Sequence, residues 1–172
     1  MVELGCIDII SSFMRSVDKT LRILSSITMS EIPALTKTST INEVIFGSRD
    51  GMLVSIMPFF RIVDNKKYDA LLILTIPIKT CETLFKPLGL AWNSSEDALK
   101  DACGEYCNIL MGNFQKEIMS MTCIETAIQK TYMNKVTDVY KVPDSHVKFG
   151  FGFKYSAKEI LMSDLIFFNW EG

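Results

Sequence analysis

The sequence predicts an α+β fold in which long helices pack on one face of a mostly antiparallel sheet. Apolar residues recur at spacings of three and four from Ile7 to about Leu24, which predicts an amphipathic helix. N-cap residues and acids from Asn93 to Asp97 predict a longer helix that runs to about Met119. Residues Val147 to Tyr155 alternate between valine or aromatic side chains and lysine or glycine, which predicts a half-buried strand.

The first half of the chain predicts further strands. Pro33 and the Thr/Ser-rich stretch from Thr36 to Thr40 predict a loop after the first helix. Residues Glu43 to Phe46 and Met52 to Met57 are apolar segments on either side of the turn-forming residues Gly47 to Gly51. This pattern predicts a hairpin of two antiparallel strands.

The remaining segments predict short elements. A solvated turn at Asp64 to Lys67 leads into a strand, Tyr68 to Ile78, whose apolar run indicates burial on both faces. Short helices are predicted at Thr80 to Phe85 and at Thr122 to Tyr132, and a final strand at Ser163 to Trp170. The order of elements, helix, strands, helices and strands, supports the α+β class.

Length and charge exclude several functions. The chain has 172 residues, 48% of them hydrophobic, so we expect a single domain over residues 1–172 with one sizeable core. A net charge of −2 provides no basic surface for nucleic acid or anionic lipid. The longest apolar run, Ala70 to Ile76, is far shorter than the ~20 residues of a membrane span. We therefore expect neither nucleic acid nor a membrane as a partner.

Cysteine and histidine patterns predict no metal site and no disulfide framework. The five cysteines are odd in number and contain no C-x-x-C pair, which favours reduced thiols and a cytoplasmic location. Cys103 and Cys107 would share a helix face but lack further ligands, so burial as small hydrophobic residues is expected. His146, the only histidine, lies in a predicted turn and is expected at the surface.

The long helix separates into two faces. One face carries a core stripe of six residues: Leu99, Cys103, Tyr106, Cys107, Leu110 and Phe114. The opposite face carries Asp101, Glu105, Asn108 and Gly112, which we call the ridge. A ridge of this kind is usually only a solvated surface, and a single Glu-x-x-Asn pair is weak evidence for function. Gly112 would leave room for close approach or would be a helix-packing glycine.

The sequence around the ridge carries a more specific signal. From Asp101 to Asn113 it resembles the central helix of the CheC/CheX family of chemotaxis phosphatases. Members carry an acidic residue or serine, then Glu four residues later and Asn three after that, and Gly-Asn commonly follows in CheX-like members. The resemblance covers about Ile7 to Tyr155, with a sharp match over Asp101 to Asn113.

The resemblance implies removal of the phosphoryl group from a phosphorylated CheY-like receiver. In the family the Asn, here Asn108, orients the attacking water, and the Glu, here Glu105, pairs with the receiver's lysine. Asp101 and Gly112 would contact the partner. The Mg²⁺ then belongs to the receiver, and no cofactor of this chain is expected. A carboxamide can hold water without repelling an anion, and a carboxylate suits an ammonium group, so the residue types fit these roles.

Other features refine this expectation. Some members carry a proline a little over twenty residues after the Asn, whereas Lys130 to Met133 contain none. One Glu-x-x-Asn favours the CheX-like branch, which implies a homodimer through the sheet, and Val147 to Tyr155 would supply an edge. The alternatives are a receiver-binding module without catalysis and a dimerisation module of the same fold.

Overall fold

The computed structural model describes residues 5–29, 34–38, 43–143 and 146–169. These ranges contain three α-helices, two short 3₁₀ helices and seven strands. The helices are α1 (Cys6–Ser25), α2 (Cys81–Leu84) and α3 (Glu96–Ile118), and the 3₁₀ helices are Ile78–Thr80 and Lys86–Leu88. The strands are β1 (Ala34–Thr38), β2 (Glu43–Val63), β3 (Lys66–Pro77), β4 (Cys123–Thr126), β5 (Lys130–Val142), β6 (His146–Tyr155) and β7 (Lys158–Phe168).

The described strands form one curled antiparallel sheet. Its order is β1-β6-β7-β3-β2-β4, and β5 pairs with β2 along a different stretch from β4. The hairpin between β2 and β3 turns at Asp64 and Asn65, whose φ angles of 49° and 61° suit a two-residue turn. The prediction of an α+β fold with a mostly antiparallel sheet is confirmed.

The helices cover one face of the sheet, as predicted. Leu72, Leu74 and Ile76 of β3 point toward the helices and are fully buried in the main core with Phe13 of α1 and Phe114 of α3. The rings of Phe13 and Phe114 meet edge to face, with centroids 5.4 Å apart. Because the side chains of a strand alternate, the intervening residues of β3 point to the opposite face.

The opposite face of the sheet has its own apolar cluster. Leu71 and Ile73 of β3 pack there with Ile166 of β7. Ile45 of β2 and Val136 of β5 belong to the same cluster and are at most 3% exposed. The first half of β2 and its partner β5 therefore supply the apolar side chains that bury this face, which explains the two-sided burial predicted for β3.

The predicted hairpin within Glu43 to Met57 is wrong, because these residues form one continuous strand. Gly47 and Gly51 do have positive φ angles, 98° and 72°. They lie at irregularities in the pairing of β2 with β5, where the register shifts, and the Gly51 N–H donates to Asn134 Oδ1 at 2.9 Å. A glycine with positive φ serves a bulge as well as a turn, and β5 offers a partner on both sides of the glycines, from Glu43 to Ile56.

Two other local predictions are wrong for the same reason, distant strand pairing. The predicted helix at Thr122 to Tyr132 is instead β4 and the start of β5, since Ile124 pairs with Arg61 of β2. The predicted loop after α1 contains β1, which pairs with Lys148–Gly152 of β6. Pro33, Ser39 and Thr40 lie outside the described residues. Local patterns do not reveal partners this far apart.

Strand β6 and His146 also differ from expectation. The alternation over β6 is confirmed, but β6 lies between β1 and β7 and therefore does not form an edge. His146 is 4% exposed rather than at the surface, and its Nδ1 donates to the Pro143 carbonyl at 2.7 Å. The last strand begins at Lys158, earlier than the predicted Ser163, and Trp170 lies outside the described residues.

Candidate functional site

Helix α3 carries the candidate site, and its start is set by local sequence. Ser95 is the N-cap, and its side chain accepts a hydrogen bond from the Ala98 N–H at 3.3 Å. Glu96 and Asp97 lie in the first turn, where negative charge interacts favourably with the helix dipole and stabilises the helix. The helix runs to Ile118, which confirms the element predicted from Asn93 to Met119.

The buried face of α3 matches its predicted core stripe. All six residues of the stripe are at most 2% exposed: Leu99, Cys103, Tyr106, Cys107, Leu110 and Phe114. Burial raises the pKa of the Cys107 thiol to about 12, and a weaker opposing effect comes from its hydrogen bond to Ser55. Burial likewise raises the pKa of Cys103. These thiols stay neutral at physiological pH, as expected of small buried hydrophobic residues.

The end of the Asp101 to Asn113 motif attaches α3 to α1. Asn113 is 6% exposed, and its Nδ2 donates to Thr20 Oγ1 at 3.0 Å. Packing between α1 and α3 thus explains why the motif has an asparagine at position 113. An ion pair joins the same two helices, since Arg15 Nε donates to Glu117 Oε2 at 2.8 Å. The two contacts fix how α3 lies beside α1.

The ridge of α3 faces outward. Asp101, Glu105 and Asn108 are exposed, and Gly112 is half-buried. Within the described ranges, no hydrogen bond or ion pair engages the side chains of Asp101, Glu105 or Asn108. A Cβ at Gly112 would meet nothing within 4 Å, so this glycine does not serve helix packing. The structure therefore brings the four predicted residues together on one open surface.

Two residues that the sequence did not single out as site residues border the ridge. Gln129 and Thr131 line, together with Lys100, Asp101, Glu105 and Asn108, an open depression of about 400 Å³. Both follow β4, where the sequence predicts a helix, so their position beside α3 was missed. The only signal was indirect, since Thr131 lies near where some CheC/CheX members carry a proline.

The site brings together few side chains that could ligate a metal ion. The ridge holds two carboxylates, Asp101 and Glu105, and among the described residues no three His, Cys, Asp or Glu side chains are grouped as ligands. A hard cation such as Mg²⁺ prefers an octahedron of oxygen ligands, and phosphate and water usually complete that octahedron.

None of the described helices is long and apolar enough to cross a membrane.

Solved structures share this fold at low sequence identity. A CheC-like superfamily protein from Shewanella sp. PV-4 is 18% identical, with a TM-score of 0.70 over 98% of this chain and 100% of that one. The chemotaxis protein CheX from Vibrio vulnificus is 14% identical, with a TM-score of 0.65 over 93% and 99%. CheX in a CheX-CheY-BeF3-Mg²⁺ complex from Borrelia burgdorferi is 14% identical, with a TM-score of 0.59 over 94% and 99%.

A family match agrees with these likenesses. No curated protein sequence matches the chain. The family model described as chemotaxis phosphatase CheX matches residues 64–151, which is just over half of the 172 residues. The matched region starts at the turn before β3 and includes all of α3 with its ridge. The chain therefore belongs to the CheX family of chemotaxis phosphatases.

Proposed function

We propose that this protein accelerates hydrolysis of the aspartyl phosphate on a phosphorylated CheY-like receiver. The observation that carries the proposal is the ridge, an exposed set of Asp101, Glu105 and Asn108 without partners in the described part of the chain, within the matched family region. A solved relative in complex with CheY, BeF3 and Mg²⁺ supports a receiver as partner. The fold needs none of these side chains for its own packing, so they are available to a docked protein.

In this proposal Asn108 orients the attacking water. The water oxygen forms a bond to phosphorus, the bond between phosphorus and the aspartate oxygen breaks, and the water protons leave with phosphate and solvent. Transfer through a loose transition state depends mainly on positioning and charge stabilisation. The Asn108 carboxamide accepts from water through oxygen and donates to a phosphoryl oxygen through nitrogen. Its lack of charge avoids repulsion of the phosphoryl group.

The same proposal gives Glu105 a docking role. Asn108 follows Glu105 by three positions, which is a rise of about 4.5 Å along the helix, so both side chains enter one cleft together. Glu105 would pair with the receiver's lysine in a charge-assisted hydrogen bond. Asp101 extends the acidic surface by one turn, and the open space at Gly112 lets the receiver approach α3 closely.

The proposal also assigns the metal ion to the receiver. We propose that the Mg²⁺ needed for the acyl phosphate is bound by the receiver, as the resemblance to the CheC/CheX family implies and as the solved complex of a relative with CheY, BeF3 and Mg²⁺ supports. The homodimer and the cytoplasmic location expected from the sequence stay predictions. A receiver-binding module without catalysis is the alternative that the kinetic test below distinguishes.

The proposal is tested by the decay of a CheY-like receiver phosphorylated with acetyl phosphate and Mg²⁺. We expect the wild-type protein to accelerate phosphate release. Asn108→Ala should lower that acceleration by about 10²–10³-fold, the loss seen when one group that stabilises a transition state is removed. Binding of the receiver should persist in this variant, because Glu105 is intact.

Matched variants separate the site from general effects of mutation. Asn93→Ala changes another exposed asparagine, just before α3, and should leave the rate unchanged. Glu105→Gln should weaken receiver binding, whereas Glu159→Gln, an exposed glutamate on β7, should not. If the wild-type protein binds the receiver but does not change its decay, the non-catalytic alternative is correct.

A further inference from the structure

A third side chain with hydrogen-bonding capacity borders the ridge. Gln129 lies in the connection between β4 and β5 and is half-buried. It lines the same depression as Glu105 and Asn108. A flexible side chain at this place would contribute little to recognition, because ordering it costs conformational entropy. The contacts of Gln129 show that it is already ordered.

Two hydroxyl groups hold the oxygen of the Gln129 carboxamide. Ser55 of β2, which is fully buried, donates to Gln129 Oε1 at 2.9 Å. Thr131 Oγ1 lies 2.9 Å from the same oxygen and 3.1 Å from Ser55 Oγ. Ser55 also lies beside Cys107 on the buried face of α3. This cluster of Ser55, Thr131 and Gln129 therefore fixes the carboxamide relative to the helix that carries the ridge.

The nitrogen of the carboxamide lies directly against that helix. Gln129 Nε2 is only 2.6 Å from the place where a Cβ on Gly104 would be. Gly104 precedes Glu105 and lies one helical turn before Asn108. In the described part of the chain no group accepts a hydrogen bond from Gln129 Nε2. An oriented amide donor without a partner thus stands beside the two predicted functional side chains.

We propose that Gln129 is a docking residue that donates a hydrogen bond to the receiver. This inference rests on the proposed function, since it assigns a second contact to the same partner. The acceptor is an oxygen on the receiver surface that meets Glu105, because Gln129 lies against α3 at Gly104, next to Glu105. Two carboxamides on different elements, Gln129 and Asn108, then define the angle at which the receiver meets α3.

The first test replaces the carboxamide with an apolar side chain of similar size. Gln129→Met should raise the KM for the phosphorylated CheY-like receiver by about 5- to 10-fold, the value of one hydrogen bond, with kcat nearly unchanged. Receiver affinity measured by fluorescence titration should fall by the same factor. A purely structural role would instead lower the amount of active protein, and so lower the apparent kcat without a change in KM.

A second variant moves Gln129 without altering its chemistry. Gly104→Ala places a methyl group only 2.6 Å from Gln129 Nε2, so the carboxamide must shift, while alanine favours the helix more than glycine. We expect the same rise in KM with thermal stability retained. Thr131→Val removes one of the two hydroxyl groups and should raise KM partly, whereas Thr131→Ser keeps the hydroxyl and should not.

The outcomes separate this inference from the proposed function. Wild-type affinity and KM in Gln129→Met would overturn the docking role, even if Asn108→Ala has lost the acceleration. If the wild-type protein binds the receiver without hydrolysing it, reduced affinity in Gln129→Met would still support the docking role while the proposed catalysis fails. If no phosphorylated receiver binds to the wild-type protein, both proposals are wrong.

Discussion

The two faces of α3 differ in how far the fold accounts for their residues. On the buried face each side chain has a packing partner or a hydrogen bond, as Phe114 has with Phe13 and Asn113 with Thr20. On the ridge the side chains of Asp101, Glu105 and Asn108 are exposed and make no hydrogen bond or ion pair within the described ranges. The fold therefore accounts for the residues of the buried face. The residues of the ridge have no role in the fold and are explained by a binding partner.

The largest expected effect tests the buried face. Phe114→Ala removes a fully buried ring from between α1 and the sheet, and we expect it to lower the free energy of unfolding by about 3–5 kcal/mol. Asp101→Ala, on the opposite face of the same helix, should change it by no more than about 0.5 kcal/mol. Urea denaturation of both variants measures the difference. A comparable loss for Asp101→Ala would show that the ridge stabilises the fold after all.

A pair of asparagines sharpens the comparison, because the same substitution should give opposite results. Asn113→Ala breaks the buried hydrogen bond to Thr20, so the free energy of unfolding should fall by about 1–3 kcal/mol. Asn108→Ala should leave stability unchanged and instead lower the acceleration of receiver decay by about 10²–10³-fold. Thr20→Val tests the partner, and in a double-mutant cycle it should show strong coupling to Asn113→Ala. Additive losses would contradict a direct hydrogen bond.

The helical parts of the fold could be predicted because their signals are local. Capping by Ser95 and the periodic stripe on α3 lie within one continuous segment, and both gave the correct boundaries and faces. The strands that failed depend on partners far along the chain. Ile124 is in a strand because Arg61 is beside it, and the glycines of β2 form bulges because β5 continues the pairing. No window of sequence contains that information.

The site divides in the same way. Its residues on α3 were predicted together, since helical spacing places Asp101, Glu105, Asn108 and Gly112 on one face. Gln129 was missed because it reaches the ridge through the pairing of β2 with β4 and β5, and because Gly104 leaves space for it. The sequence around Gly104 does not distinguish a glycine that permits a close contact from any other glycine in a helix. The contact exists only once the sheet has brought both elements together.

The smallest expected effect concerns the ion pair at the boundary between the two faces. Arg15 and Glu117 join α1 to α3, but their side chains are 58% and 29% exposed, so water and salt screen much of the attraction. We expect Arg15→Ala to lower the free energy of unfolding by about 0.2–1 kcal/mol, and by less in high salt. Arg15 Nη2 also donates to Ser12, so Glu117→Ala, which removes only the ion pair, is the cleaner control. The contrary result would be a fall in the free energy of unfolding for Glu117→Ala that is as large as the fall for Asn113→Ala and does not change with salt. It would mean that this exposed ion pair stabilises the fold as strongly as a buried hydrogen bond. The contrast between the two faces of α3 would then be less sharp than their burial implies.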